Sequence, residues 1–354
     1  MSDDLRILIL GTGSIARRHA VQFGAIVGCR VVAAVDTGVN RAATFAQEHG
    51  IAQHFTELDA ALAWGGFDAA VNSTPDPVHL PTTLQLLTAG KAVFCEKPLA
   101  LNHADAMQMT HAAEQAGLVN MVNLTYRNAY ALQEARRRVV AGEIGAVRHI
   151  QASYLQSWLT ANYWGDWHTE ERWLWRLSTA HGSKGVLGDV GIHIVDFAMF
   201  GADLGITALS ARLRAFDKAP GGTIGPYRLD ANDSAVMTVE FANGALGVIH
   251  MSRFATGNKN DLHLTIHGDR GALRIWADAD ASTLDACLGP DIETQSWTRI
   301  ECPPTPANAE RFVAALRSGI NGAPDFRRGT DVQRILDACF VSDTEGRRVE
   351  ISPD

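Results

Sequence analysis

Asp189, His193 and Asp196 interrupt the apolar run GDVGIHIVDF at spacings of four and three. At about 100° per residue these spacings put all three on one narrow face of a helix, leaving Ile192, Val195 and Met199 to pack it. An acid and an imidazole one turn apart suit proton exchange, since oxidising an alcohol needs a base at its oxygen and histidine titrates near neutrality. Two other readings fit the same spacing. A buried histidine can simply be satisfied by its neighbours, and Asp and His four apart can coordinate zinc. No further His or Cys set stands at ligand spacing, so no metal is expected.

A second charged group, Glu96-Lys97-Pro98 in AGKAVFCEKPLALN, directly follows an apolar strand pattern. That places it at the carboxyl end of a strand, where ligands bind in parallel α/β sheets. A desolvated lysine there can act as a base or stabilise negative charge developing on oxygen, and a Lys–Pro bond tolerates the cis form. The third constellation is the glycine turn of LRILILGTGSIARRHA. Gly11 permits a tight turn, Gly13 lets the backbone approach a pyrophosphate, and Ala16 allows close helix packing. Ser14 and Ile15 open the helix whose N-terminus faces the negative charge.

The second strand pattern ends at Asp36, twenty residues beyond Ala16. A carboxylate there accepts hydrogen bonds from ribose hydroxyls and repels a 2′-phosphate, so NAD is the expected cofactor, while Arg41 nearby leaves NADP open. In NSTPDPVH, Ser73, Thr74, Pro75 and His79 fall at the same sheet edge, beside the expected nicotinamide ribose, although Pro75 and Pro77 also serve as turn formers.

These groups need a scaffold. Strands are expected at Leu5 to Leu10, Val31 to Val35, Ala69 to Asn72, Ala92 to Cys95 and Val119 to Asn123. Helices are expected from Ser14, Arg41, Leu58, His79 and His103, with Pro81 tolerated in a first turn. That alternation is the pattern of a doubly wound parallel sheet. After about residue 146 alternating runs such as SAVMTVEF, GALGVIHMSRF and GALRIWA predict an open, mainly antiparallel sheet. The Gly/Pro-rich stretch 217–230 is expected to be a long surface loop, and helices close the chain at Asn308 to Ser318 and Asp331 to Val341. The expected organisation is therefore α/β followed by α+β, with domains at residues 1–122 and 123–354.

The 354 residues, 46% hydrophobic and 20% charged, fit two globular domains, and no apolar run is long enough for a membrane span. A net charge of −8 excludes a general nucleic-acid binder, and the cluster Arg136 to Arg138 is read as the solvated side of a helix. Five cysteines without a CxxC pair suit a reducing cytoplasm, and the acidic start MSDDL is not a secretory signal.

GTGSIA, AGKAVFCEKPLA and GVLGDVGIHIVDF, in this order and spacing, resemble the Gfo/Idh/MocA oxidoreductases. RFVAALRSG and LDACFVSDTEGRRVEI are similar to that family's closing helices, so the resemblance covers nearly the whole chain. It implies a Rossmann domain, a larger open-sheet domain, a nicotinamide cofactor and oxidation or reduction of a sugar or cyclitol hydroxyl. It also implies that Lys97 is the lysine of the EKP motif, Asp189 and His193 the acid–histidine pair, and Asp196 an acid that holds substrate. His193, oriented by Asp189, would exchange the proton while Lys97 binds the same oxygen, or the two roles would be exchanged. Arg127, in LTYRNAY, resembles a family arginine near the substrate. In one place the chain departs from the family, carrying STAHGSKG where a glycine-rich run is usual.

Five of the eight tryptophans, Trp158, Trp164, Trp167, Trp173 and Trp175, fall within eighteen residues. Indoles suit the C–H faces of sugar rings, which makes Trp164 and Trp167 candidate substrate contacts, but they equally suit an interface. Two other functions stay open: a nucleotide-binding regulator without turnover, and a dehydrogenase of non-sugar substrates such as dihydrodiols. An open sheet face needs a cover, so a homodimer or homotetramer is expected.

Overall fold

The computed structural model describes residues 4–352, so the start of the acidic stretch, Met1 to Asp3, lies outside the described residues. The chain forms two units, one comprising residues up to Thr125 together with Pro306–Gln333, the other Tyr126–Thr305 with 334 onward. This differs from the expected single division at 122/123, because the segment after Pro306 returns to the first unit.

In that unit β1 (Leu5–Leu10), β2 (Cys29–Val35), β3 (Gln53–Phe55), β4 (Ala69–Asn72), β5 (Ala92–Cys95) and β6 (Asn120–Val122) form a parallel sheet in the order β3-β2-β1-β4-β5-β6. The helices between them are α1 (Ser14–Gly24), α2 (Arg41–His49), α3 (Leu58–Trp64), α4 (His79–Thr88) and α5 (His103–Ala116). β5 reads as an unbroken apolar run, and β1 and β4 as nearly so apart from Arg6 and the terminal Asn72, because a parallel strand is covered on both faces. β3, with two exposed polar residues and a half-buried Phe55, carries no such signal and is absent from the sequence reading.

Phe23 of α1, Phe94 of β5 and Phe312, downstream in the returning segment, meet edge to face at centroid distances of 5.4–6.3 Å. Burying such a ring contributes roughly 1.5–3 kcal/mol. This is why the late helix belongs to the first unit and not to the sheet that precedes it in the chain.

The second unit opens with α6 (Tyr130–Val140) and β7 (Val147–Leu155), then α7 (Glu171–Leu174), a π-helical turn at Leu187–Gly191 and α8 (Ile192–Ala202). Its later strands are β8 (Ile206–Arg214), β9 (Thr223–Ile224), β10 (Tyr227–Arg228), β11 (Ser234–Phe241), β12 (Leu246–Ser252), β13 (Asp261–Gly268), β14 (Gly271–Ala277) and β15 (Ser282–Leu288). α9 (Asp291–Thr294), β16 (Thr298–Ile300), α10 (Asn308–Ser318), α11 (Phe326–Glu345) and β17 (Val349–Glu350) complete the chain, α10 being the returning helix that carries Phe312. Nine strands form one sheet, ordered β16-β15-β14-β13-β7-β12-β11-β8-β17, in which only β7 and β12 run parallel. α8 packs on β7, β12 and β13, and it is buried on nearly every side, as a helix apolar all round must be.

The stretch 217–230 is more than a surface loop: β9 and β10 pair as a hairpin, and Lys218 is buried against Asp233 at 2.7 Å. Among the described residues no helix is long and apolar enough to cross a membrane.

Candidate active site

In the first unit the glycine turn has the geometry that a dinucleotide requires. Gly11 sits at φ +82°, and a Cβ there would lie 2.7 Å from the Ser73 carbonyl oxygen, so only glycine lets β1 and the post-β4 loop approach. Around Gly13 there is nothing within 4 Å of a Cβ, which leaves its backbone open for a phosphate. Ser14 is exposed, Ile15 half-buried, and α1 has no acidic residue in its first turn. Asp36 directly follows β2 with its carboxylate already oriented. The Thr12 amide and hydroxyl donate to Oδ2 at 2.8 and 2.7 Å, and the Gly38 amide donates to Oδ1 at 2.9 Å. Burial alone would raise the Asp36 pKa, but these donors and the Arg41 charge hold it below the usual carboxylate range. Arg41 reaches back to the same carboxylate, with Nε 3.5 Å from Oδ2. The site thus fits an NAD ribose held by Asp36 and a pyrophosphate at Gly11, Gly13 and the start of α1.

Three residues expected to touch cofactor also brace the loops around the glycine turn and Lys97. The Ser73 hydroxyl donates to the carbonyls of Leu10 and Gly11 at 3.0 and 2.9 Å, pinning its loop to the glycine turn. His79 is fully buried, its Nδ1 2.8 Å from the Pro98 carbonyl and its Nε2 2.9 Å from the Thr74 carbonyl. Two carbonyls only accept, so both ring nitrogens carry hydrogen and His79 is an imidazolium tying the Thr74–Pro75 loop to the loop after β5. Burial opposes that charge, but the Cys95 sulfur, Asp76 and the Pro98 carbonyl outweigh it and raise the His79 pKa to about 10.

Glu96 is the third. His19 Nε2 lies 2.6 Å from its Oε1, Asn123 Nδ2 donates to the same atom at 2.7 Å, and the Lys97 amide donates to Oε2 at 3.2 Å. Burial would raise its pKa, yet the His19 contact, Asn123 and the Lys97 charge bring it to about 2. An ionised Glu96 therefore anchors the backbone of Lys97, whose own side chain is half-buried at the carboxyl end of β5. The Lys97–Pro98 bond is cis. Neither His19 nor Asn123 stands out in the sequence, because each lies far along the chain from Glu96.

In the second unit, Asp189, His193 and Asp196 do not lie on one regular α-helix as the spacing assumed. Asp189 lies in the π-helical turn and His193 and Asp196 in α8, so the angular step changes between them. Gly191 stands at the junction, where a Cβ would come within 2.9 Å of Met251 Sδ and 3.0 Å of Leu187 Cδ1. Each polar side chain has a different neighbour. Asp189 takes a hydrogen bond from Arg253 Nη2 at 3.0 Å. His193, 7% exposed, packs edge-on against the Tyr126 ring at 5.0 Å. Asp196 accepts both Nε and Nη2 of Arg127, at 2.6 and 2.8 Å, and the two residues are 2% and 4% exposed. Arg127 and Asp196, expected to contact substrate, thus form a buried fork–fork pair.

Tyr154, whose ring lies 6.4 Å from that of His193, joins Asn260, Gln156 and Trp158 in a network of which the sequence pattern singled out only Trp158. The Tyr154 hydroxyl donates to Asn260 Oδ1, Asn260 Nδ2 donates to the Tyr126 hydroxyl, and the two tyrosine oxygens lie 2.7 Å apart, closing a ring of hydrogen bonds. Gln156 Nε2 donates to Asn260 Oδ1 at 2.9 Å, and Gln156 Oε1 accepts from the Trp158 indole N–H at 3.2 Å. Burial raises the pKa of both tyrosines, so they remain neutral phenols. The available signal was a tyrosine at an inward position of β7, which must find a partner for its hydroxyl.

Most of the clustered tryptophans pack into a small core of the second unit. Trp158 and Trp167, each 3% exposed, build a satellite core with Leu174, Leu177 and Leu229, against which Trp164 and Trp173 stack at a centroid distance of 6.2 Å. Trp175 alone of the five is well exposed, at 37%. In STAHGSKG, His181 stacks on Tyr227 of the β9–β10 hairpin at 4.4 Å and shares a hydrogen bond with the Ser178 hydroxyl at 2.9 Å.

The chain matches two family models: an oxidoreductase family, NAD-binding Rossmann fold, over residues 5–124, and a GFO/IDH/MocA C-terminal domain over residues 132–274. A 1,5-anhydro-D-fructose reductase of Ensifer adhaerens is 33% identical over 89% of this chain and 87% of its own. An inositol 2-dehydrogenase of Rhizobium meliloti strain 1021 is 27% identical over 98% and 99%. A levoglucosan dehydrogenase solved with NADH and levoglucosan superposes with a TM-score of 0.84 at 22% identity, covering 99% of this chain and 100% of that one. With its glycine turn, ribose acid, EKP lysine and acid–histidine segment each in place, the chain belongs to the Gfo/Idh/MocA family of NAD-binding oxidoreductases.

Proposed function

We propose that this protein is an NAD-dependent dehydrogenase or reductase that interconverts a hydroxyl and a keto group on a sugar, sugar derivative or cyclitol. The observation that carries the reading is His193. It is an imidazole shielded from water beside neutral phenols, on a segment that also holds a carboxylate paired with a buried arginine. Bound at the Gly11 turn and Asp36, NAD would supply the hydride acceptor. His193 exchanges the proton of the reacting hydroxyl through its ring, and Lys97, its backbone fixed by Glu96, is the cationic group for the charge that develops on that oxygen. Asp189 remains an ionised hydrogen-bond acceptor, and Arg127 and Asp196 hold the segment in place without touching substrate.

Reduced-nicotinamide absorbance against a panel of sugars, cyclitols, sugar acids and dihydrodiols tests this reading. Turnover is expected with at least one polyhydroxylated ring, and Lys97→Ala and His193→Ala should each lower kcat by about 10² to 10⁴. Unchanged kcat in both variants would refute the roles given to Lys97 and His193, and cofactor binding without turnover on any substrate would point to a regulator instead. We further propose a cytoplasmic homodimer or homotetramer. Val236 and Leu246 are 50% and 56% exposed on adjacent strands β11 and β12, on a sheet face that a second copy would cover, and none of the cysteines is in a disulfide. Light scattering that gives a monomer would refute the assembly.

A further inference from the structure

The acid of the catalytic segment has a partner drawn from a distant strand. Arg253, just beyond β12, is fully buried. Its Nη2 donates to Asp189 Oδ2 at 3.0 Å, its Nη1 to the Arg176 carbonyl at 3.1 Å, and its guanidinium carbon lies 5.1 Å from the Trp158 ring centroid. Its Nε is buried without a hydrogen-bond partner. The other nearby acid, Asp233, is engaged elsewhere: Oδ2 takes Lys218 Nζ at 2.7 Å and the Phe216 amide at 2.9 Å, and Oδ1 has no hydrogen-bond partner. Asp189, with a third of its side chain exposed, is therefore the one carboxylate that pairs with this guanidinium among the described residues. Burying a guanidinium with an N–H left unpaired is unfavourable, so the interaction with Asp189 has to do more than fill space.

We propose that Arg253 is a positioning residue for the reaction: by clamping Asp189 against the Arg176 carbonyl it keeps that carboxylate charged and aimed, four residues before His193. The inference deepens the functional reading above and rests on it. The groups that face Asp189 agree with a fixed negative charge. Arg176 Nε lies 4.0 Å from the same oxygen, and Tyr126 and Tyr154, whose ionisation the Asp189 charge opposes, stay protonated. His193 on the same segment is the group left to exchange a proton.

The test compares Arg253→Met, Arg253→Lys, Asp189→Asn and the double variant Asp189→Asn/Arg253→Met in the full chain, with NAD and whichever substrate turns over. Arg253→Met leaves the Lys218–Asp233 pair intact and Arg176 beside Asp189, so charge stays balanced locally. It should lower kcat about 10- to 100-fold and move the acid limb of the kcat/KM profile to higher pH, with Arg253→Lys recovering part of the loss. The double variant should be no slower than Asp189→Asn, because Arg253 acts through Asp189. Losses that multiply, or an acid limb that does not move, overturn the proposal. If neither Arg253 variant folds, Asp189→Asn carries the test: its Tm should fall by about 2–8 °C as the buried guanidinium loses its counter-charge, and an unchanged Tm refutes the clamp. That measurement needs no substrate, so a wild-type protein without turnover would sink the functional reading while the clamp is still judged on its own.

Discussion

Asp196→Asn separates a structural acid from a substrate ligand. Asp196 accepts two hydrogen bonds from Arg127 at 2.6 and 2.8 Å, both residues are almost fully buried, and the guanidinium lies 3.6 Å over the Phe200 ring. The amide cannot balance the guanidinium charge, and removing one partner of a buried pair costs about 3–5 kcal/mol, far more than an exposed pair would. For a unit of this size, roughly 2–4 °C of Tm is lost per kcal/mol, so the unit that contains α8 should melt about 6–20 °C lower by differential scanning calorimetry. Replacing both partners with apolar residues, Arg127→Met with Asp196→Leu, should recover most of that loss, since neither charge is then left unpaired. KM of the folded fraction should stay near the wild-type value. A wild-type Tm combined with a raised KM would refute the reasoning and return Asp196 to the substrate.

Two further predictions concern the first unit. Glu96 has its pKa lowered from 4.5 to about 2, so its contribution is fully present above about pH 4.5 and is lost as pH falls toward 2. Unfolding free energies of the wild type and Glu96→Gln from urea titration should differ by on the order of 3 kcal/mol at pH 7 and converge in acid, and a difference that does not change with pH would count against the assignment. Asp36→Ala removes the ribose acceptor and the repulsion of a 2′-phosphate, so KM for NAD should rise about 10- to 100-fold while KM for NADP falls; an unaltered preference would show that Asp36 does not face the ribose.

The parallel sheet was legible because burial on both faces writes itself locally: β5 is apolar from end to end, and β1 and β4 depart from that only at Arg6 and Asn72. The glycine turn and Asp36 were legible for a similar reason, since a tight turn, an open backbone and a ribose acid occupy fixed offsets on one strand–helix–strand unit. The π-helical turn at Leu187–Gly191 was not, because a period of about 100° was assumed throughout, and the widening depends on what Gly191 meets across the packing interface. Residue type pointed the tryptophans toward a ligand or a partner, whereas most of them are consumed by the small core that supports the β9–β10 hairpin.

Local chemistry along the chain was enough to name the family, the cofactor half and the lysine and histidine on which the reaction is proposed to depend. It could not say which polar residues work and which hold others in place. His19 reaches Glu96 across 77 residues, Arg127 reaches Asp196 across 69 and Arg253 reaches Asp189 across 64. Each of those pairings exists because a buried charged group must find a hydrogen-bond partner, and distance in space is a quantity that spacing along a chain does not contain.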